Sequence, residues 1–62
     1  IAAFNWYSEA ATQGDADAQY HLGLYYKYGY ATKKNVRQYK YWMQKSAEQG
    51  FSKAIDELNK KD

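Results

Sequence analysis

Sixty-two residues with no Cys, no Pro and a net charge of +2 leave little room for an enclosed active site, because a chain this short keeps much of its apolar surface wet. Without Cys there is no disulfide or thiolate metal centre to make up for a small core, and the singly scattered apolar residues form neither a membrane span nor a secretory h-region. The modest overall charge points to no nucleic-acid or membrane partner, yet it is unevenly spread: residues 1–31 carry −2 and residues 32–62 carry +4.

In chain order, Ala3, Trp6, Tyr7, Ala10 and Ala11 recur at i, i+3, i+4, i+7 and i+8, which predicts one apolar stripe of a first helix. Gly14 ends it. Asp15 is placed to cap a second helix, and Asp17 adds a negative charge to its first turn, where the helix dipole favours one. Ala18, Leu22, Tyr25 and Tyr26 carry that stripe to Gly29, and the polar stretch from Ala31 to Lys34 forms a connection. Asn35 with Gln38 predicts a capping box that opens a third helix, whose stripe is Tyr39, Trp42, Met43, Ser46 and Ala47. Gly50 stops it, and Phe51, Ala54, Ile55 and Leu58 make a short last helix, with Lys60 and Lys61 suited to the negative end of its dipole.

Laying Trp6 on Trp42, a shift of 36 residues, also superimposes Ala11 on Ala47, Gln13 on Gln49, Gly14 on Gly50, Ala18 on Ala54 and Leu22 on Leu58. The pattern predicts an all-α fold: two antiparallel helical hairpins, four helices, stacked as a fragment of an α/α solenoid. Residues 1–62 form a single repeat domain, with 1–31 as a first unit and 32–62 as a connecting loop and a second, terminal-like unit. Gly23 costs a helix roughly 1 kcal/mol relative to Ala, so it implies close approach of a neighbouring helix. Small residues facing Trp6 and Trp42 would let hairpins nest, which places both tryptophans in the core. Tyr7, Tyr26 and Tyr39 are expected there too, while Tyr28, Tyr30 and Tyr41 fall off the stripes. Fewer than about three such units are marginal alone, so a longer array, pairing with a second copy or unusually good packing is expected. A start at Ile1 is compatible with a removed leader or upstream repeats, and the compartment is undetermined.

No catalytic constellation emerges. His21 is the single His, expected on a solvated helix face beside Asp17 and Tyr25, with nothing to complete a metal site. Asp15 and Asp17 are read as capping and dipole residues. Asp56 and Glu57 are neighbours on a short helix expected to be exposed, which argues against a paired-carboxylate mechanism. No Gly-rich phosphate loop is present.

The stretch AAFNWYSEAATQGDADAQYHLGLYYKYG resembles the Sel-one-like repeat, a relative of the tetratricopeptide repeat. Ala3, Trp6, Tyr7, Ala10, Ala11, Gly14, Ala18, Leu22, Gly23, Tyr26 and Gly29 fall on its pattern, and Trp42, Ala47, Gly50, Ala54 and Leu58 repeat it. Three places depart from it. Ala31, Thr32 and Asn35 stand where the family usually has Gly, Val and Asp; Tyr39 replaces a small residue; and Asn59 replaces the second Gly of the L-G pair. A polar terminal stretch of this kind suits a capping repeat. The resemblance implies a scaffold or adaptor that binds another protein or peptide, commonly in bacterial envelope, secretion or signalling settings. It implies no cofactor, metal, small-molecule substrate or catalytic residue.

A partner is expected on the side of each unit's first helix turned away from the stripe. That line is Arg37, Tyr41, Gln44 and Glu48 on the third helix and Asn5, Ser8 and Thr12 on the first. The competing reading is single-stranded nucleic acid. Lys33, Lys34, Arg37, Lys40 and Lys45 run without an acid among Tyr39, Tyr41 and Trp42, and bases could stack on aromatics beside such a run. Because Tyr39 and Trp42 are expected in the core, only Tyr41 is left as a platform.

Overall fold

The computed structural model describes residues 2–60, with the side chain of Ala2 also outside what is described. Four helices follow one another: α1 (Ala2–Thr12), α2 (Ala16–Tyr28), α3 (Val36–Glu48) and α4 (Ser52–Asn59). Among the described residues there is no strand. The helices pack in chain order, α1 on α2, α2 on α3 and α3 on α4, and the α2–α3 seam is the most extensive. The all-α, stacked-hairpin architecture is therefore the one the 36-residue repeat predicts.

Local signals explain where the helices begin and end. The Asp15 carboxylate accepts a hydrogen bond from the Ala18 N–H at 3.2 Å, satisfying one of the N–H groups that a helix start leaves without a partner. Asn35 Oδ1 accepts from the Gln38 N–H at 3.1 Å. The Asn35 N–H, which a reciprocal capping box would give to Gln38, instead donates to the Tyr26 carbonyl at 2.9 Å. That bond ties the connection back onto α2. Gly29 closes α2 in the left-handed conformation, φ +74°, and a Cβ there would stand 3.3 Å from the Lys34 backbone nitrogen. Glycine thus meets a conformational and a steric demand at once.

Ala11, Ala18 and Leu22 form the buried centre, with Phe4, Tyr7, Ala10, Tyr26 and Trp42 packed around them. Met43 and Ala54 are fully buried. Gly23 provides the predicted close approach: a Cβ there would lie 3.0 Å from Met43 Cε and 3.3 Å from the Tyr39 carbonyl oxygen. Buried polar groups on both sides of α2 are matched, as burial requires. Buried Gln19 donates to the Ala11 carbonyl at 3.0 Å and accepts from Gln49 Nε2 at 2.9 Å, and Ser46 Oγ donates to the Ala16 carbonyl at 2.7 Å.

Several expectations are corrected. Trp6 is 62% exposed, whereas Trp42 is half-buried against the core. The main neighbour of α1 is α2, which covers the Phe4, Tyr7 and Ala11 side; among the described residues no helix covers Trp6 in the same way. Ala3, Ile55 and Leu58, expected on buried stripes, are exposed. Glu57, expected on an open surface, is only 5% exposed. His21 is not simply solvated: its ring stacks on Tyr7, with centroids 4.8 Å apart, and meets Tyr20 edge-on. Its Nδ1 lies 3.3 Å from the Asp17 carboxylate, as the spacing suggested. Lys61, expected at the end of α4, lies outside the described residues.

Candidate functional site

Arg37, Tyr41, Gln44 and Glu48 fall at i, i+4, i+7 and i+11 along α3, and all are exposed. The α2-facing side of the helix is occupied by Trp42, Met43 and Ser46, so this line is turned outward. Tyr41 is half exposed. Its ring meets Trp42 edge-on with centroids 4.9 Å apart, and Lys45 Nζ sits 5.5 Å from its centroid. Trp42 is itself packed against the core. The exposed Tyr41 ring therefore rests edge-on against a ring that is itself packed on the core.

Tyr41, Gln44, Lys45 and Glu48 line one shallow depression of about 290 Å³. Arg37 does not line it, and neither do Asn5, Ser8 and Thr12. On α1, Asn5 and Thr12 are exposed and Ser8 is half-buried. Thr12 Oγ1 donates to the Ser8 carbonyl at 2.9 Å, so its hydroxyl proton is used within the helix. The structure brings three of the seven expected residues together and adds Lys45, a member of the basic run.

A second cluster escaped the sequence reading. Glu57 on α4 receives Lys27 Nζ from α2 on Oε2 and the Tyr39 hydroxyl from α3 on the same oxygen at 3.1 Å, while Lys60 Nζ stands 3.3 Å from Oε1. The Lys27 hydrogen bond holds the Glu57 carboxyl below its ordinary value, against the opposing effect of burial, with Tyr39 and Lys60 acting in the same direction as Lys27. Reciprocally, the hydrogen bond to Glu57 raises Lys27, against its own partial burial. A signal was available: Glu57 stands three residues after Ala54, on the same side of α4. Beside this cluster lies a cleft of about 370 Å³ lined by Lys27, Tyr28, Lys34, Val36, Tyr39 and Lys40.

Among the described residues no group of three or more His, Cys, Asp or Glu could hold a metal ion, and no helix is long and apolar enough to cross a membrane. Four helices stacked in order, with side chains repeated at a fixed interval, define an α-helical repeat protein. The family described as Sel1 repeat matches residues 1–15 and 16–51. The chain belongs to the Sel1 repeat family, whose members are generally non-catalytic scaffolds that mediate protein–protein interaction. Comparison with curated proteins and with solved structures gives no match.

Proposed function

We propose that this chain is a scaffold or adaptor module without catalysis, which docks another protein or peptide on the outer face of α3. Tyr41 provides the anchor, with Gln44, Lys45 and Glu48 as the polar surround of one depression, and Arg37 continues the line. Asn5, Ser8 and Thr12 extend the surface on α1. The observation that carries the reading is the half-exposed Tyr41 ring held between Trp42 and Lys45. Aromatic residues with few torsions supply contact area at small entropic cost, which is why they dominate binding energy at interfaces.

The second reading, single-stranded nucleic acid, draws on Lys34 and Lys40, which line the same cleft as Tyr28. One experiment separates the two. Immobilised chain is exposed to a cell lysate with and without nuclease, and bound proteins are identified by mass spectrometry. A discrete protein retained after nuclease, and weakened at least ~10-fold by Tyr41→Ala with helicity unchanged, supports the docking reading. Capture that vanishes with nuclease, or falls steeply with salt, overturns it in favour of the basic face.

A further inference from the structure

From Ala18 to Ala47 the chain carries six bases and no acid. Among the described residues Lys27 is the one of these six that finds a carboxylate: it pairs with Glu57, and its ammonium lies 5.3 Å from the Tyr28 ring centroid and 5.4 Å from that of Tyr39. Lys34 and Lys40 form no ion pair there, and both line the cleft of about 370 Å³ beside that cluster. The same cleft takes in Tyr28 and Val36, which are 54% and 50% exposed. Its other ring, Tyr39, is committed through its hydroxyl to Glu57 at 3.1 Å. Two uncompensated ammonium groups and two wet apolar groups thus share one concavity with no carboxylate on its walls. The backbone beneath it is fixed. A Cβ on Gly29 would stand 3.3 Å from the Lys34 nitrogen, and the next residue, Asn35, donates to the Tyr26 carbonyl at 2.9 Å. Lys34 is therefore held by its main chain where α2 meets α3, with its side chain left to solvent.

We propose that this cleft binds an acidic peptide segment of a partner protein, one apolar side chain of which covers Val36 and Tyr28 while flanking carboxylates pair with Lys34 and Lys40. The site shares no lining residue with the Tyr41 depression; it rests on the docking reading only for the class of partner. Charge complementarity names the occupant, because uncompensated cations on one wall repel a basic segment and steer an acidic one in. A lysine ammonium is a point charge, not a planar fork, so the lysines select sign and the apolar side chain adds selectivity. Single-stranded nucleic acid fits less well. It needs successive rings on which its bases stack, whereas the cleft offers the Tyr28 ring beside an aliphatic Val36, with Tyr39 already engaged.

Fluorescence anisotropy tests the proposal, with the whole chain titrated into a labelled peptide in which acidic residues flank a single phenylalanine. Saturable binding is expected. Lys34→Gln and Lys40→Gln each weaken it ~2–5-fold, the worth of one exposed ion pair, and the two together weaken it by ~10-fold. Val36→Ser, or serine in place of the peptide's phenylalanine, costs ~3–5-fold through lost apolar cover. Lys53→Gln removes the same charge from an exposed position of α4 outside the cleft and leaves the affinity unchanged. All four substituted positions are exposed, and far-UV circular dichroism verifies helicity; Lys34→Gln, in the connection, decides the matter should a helical variant unfold. Absence of saturable binding overturns the proposal. So does an equal loss with Lys53→Gln, which marks attraction to net charge and not to a site. A poly-dT oligonucleotide that displaces the peptide at lower concentration overturns it too, and gives the cleft to nucleic acid. Lysate capture through Tyr41 reads a different surface, so either result can fail while the other stands.

Discussion

Glu57 is buried yet charged because donors from three directions converge on its two oxygens: Lys27 of α2, Tyr39 of α3 and Lys60 at the end of α4. A carboxylate removed from water needs such compensation, and taking away one charge of a buried pair leaves the other uncompensated. Glu57→Gln keeps the shape and removes the charge. It is expected to destabilise the fold by about 2 kcal/mol in urea unfolding at neutral pH, less than the roughly 3–5 kcal/mol of a fully enclosed pair, because the Lys27 side chain keeps 24% of its surface exposed. The pH dependence follows from the direction of the shift. The folded carboxyl lies below its ordinary value of 4.5, so its contribution is complete above that value and is lost as pH falls through the lower, folded one. The variant should therefore show a shallower loss of stability in acid than the wild type. Equal slopes would mean that Glu57 is not held as an anion. Lys27 is raised above 10.5, so its contribution is complete below that pH and fades only as pH rises through the folded value.

At the scale of elements, the connection between α2 and α3 carries the local strain. Gly29 takes its left-handed backbone freely, but Ala31 does so with φ +57°, where its Cβ crowds the following carbonyl at a cost of roughly 1–2 kcal/mol. The position is one where the Sel1 pattern usually has Gly. Strain is tolerated because both ends of the segment are tied down: Tyr30 donates to the Tyr25 carbonyl and Asn35 to the Tyr26 carbonyl, each at 2.9 Å. Ala31→Gly relieves the crowding but loosens the unfolded chain, which returns about 0.5–1 kcal/mol of the gain. A net stabilisation of roughly 0.5 kcal/mol is expected, visible as a rise of ~2–4 °C in the thermal midpoint. A lower midpoint would show that the left-handed backbone at Ala31 is not a source of strain.

At the scale of the whole molecule, α2 is the hub, packed on α1 on one side and on α3 on the other. Leu22 stands at its centre, 1% exposed. Truncating a buried Leu to Ala costs about 2–5 kcal/mol, and a chain of this length has a total stability of only roughly 3–9 kcal/mol. Leu22→Ala should therefore remove most of the cooperative unfolding transition, followed by near-UV circular dichroism of the packed Tyr and Trp rings. Tyr41→Ala should cost no more than about 1 kcal/mol, the loss of its edge-on contact with Trp42, since its ring lies outside the seams. The contrast matters for the docking reading, because it lets binding be changed without unfolding the molecule.

Order along the chain was legible in the residues themselves. The i, i+3, i+4 stripes, the caps at Asp15 and Asn35, the left-handed Gly29 and the demand for a close neighbour at Gly23 all arise from interactions within a few residues or from the absence of a side chain, and all are present in the fold. The outward placement of Arg37, Tyr41, Gln44 and Glu48 was equally legible, since it follows from helical period alone. Only the tertiary structure decided which stripes are covered. Trp6 and Trp42 occupy matched positions in the repeat, and nothing local distinguishes them; one is half-buried because α2 lies against it, the other is open because among the described residues no helix covers it in the same way. The same holds for Glu57, whose burial depends on Lys27 and Tyr39 arriving from helices distant in the chain, and for the Asn35 N–H, drawn away from its capping partner by a carbonyl on α2. Periodicity states which face of a helix is apolar; a neighbouring helix must then be in place to bury it.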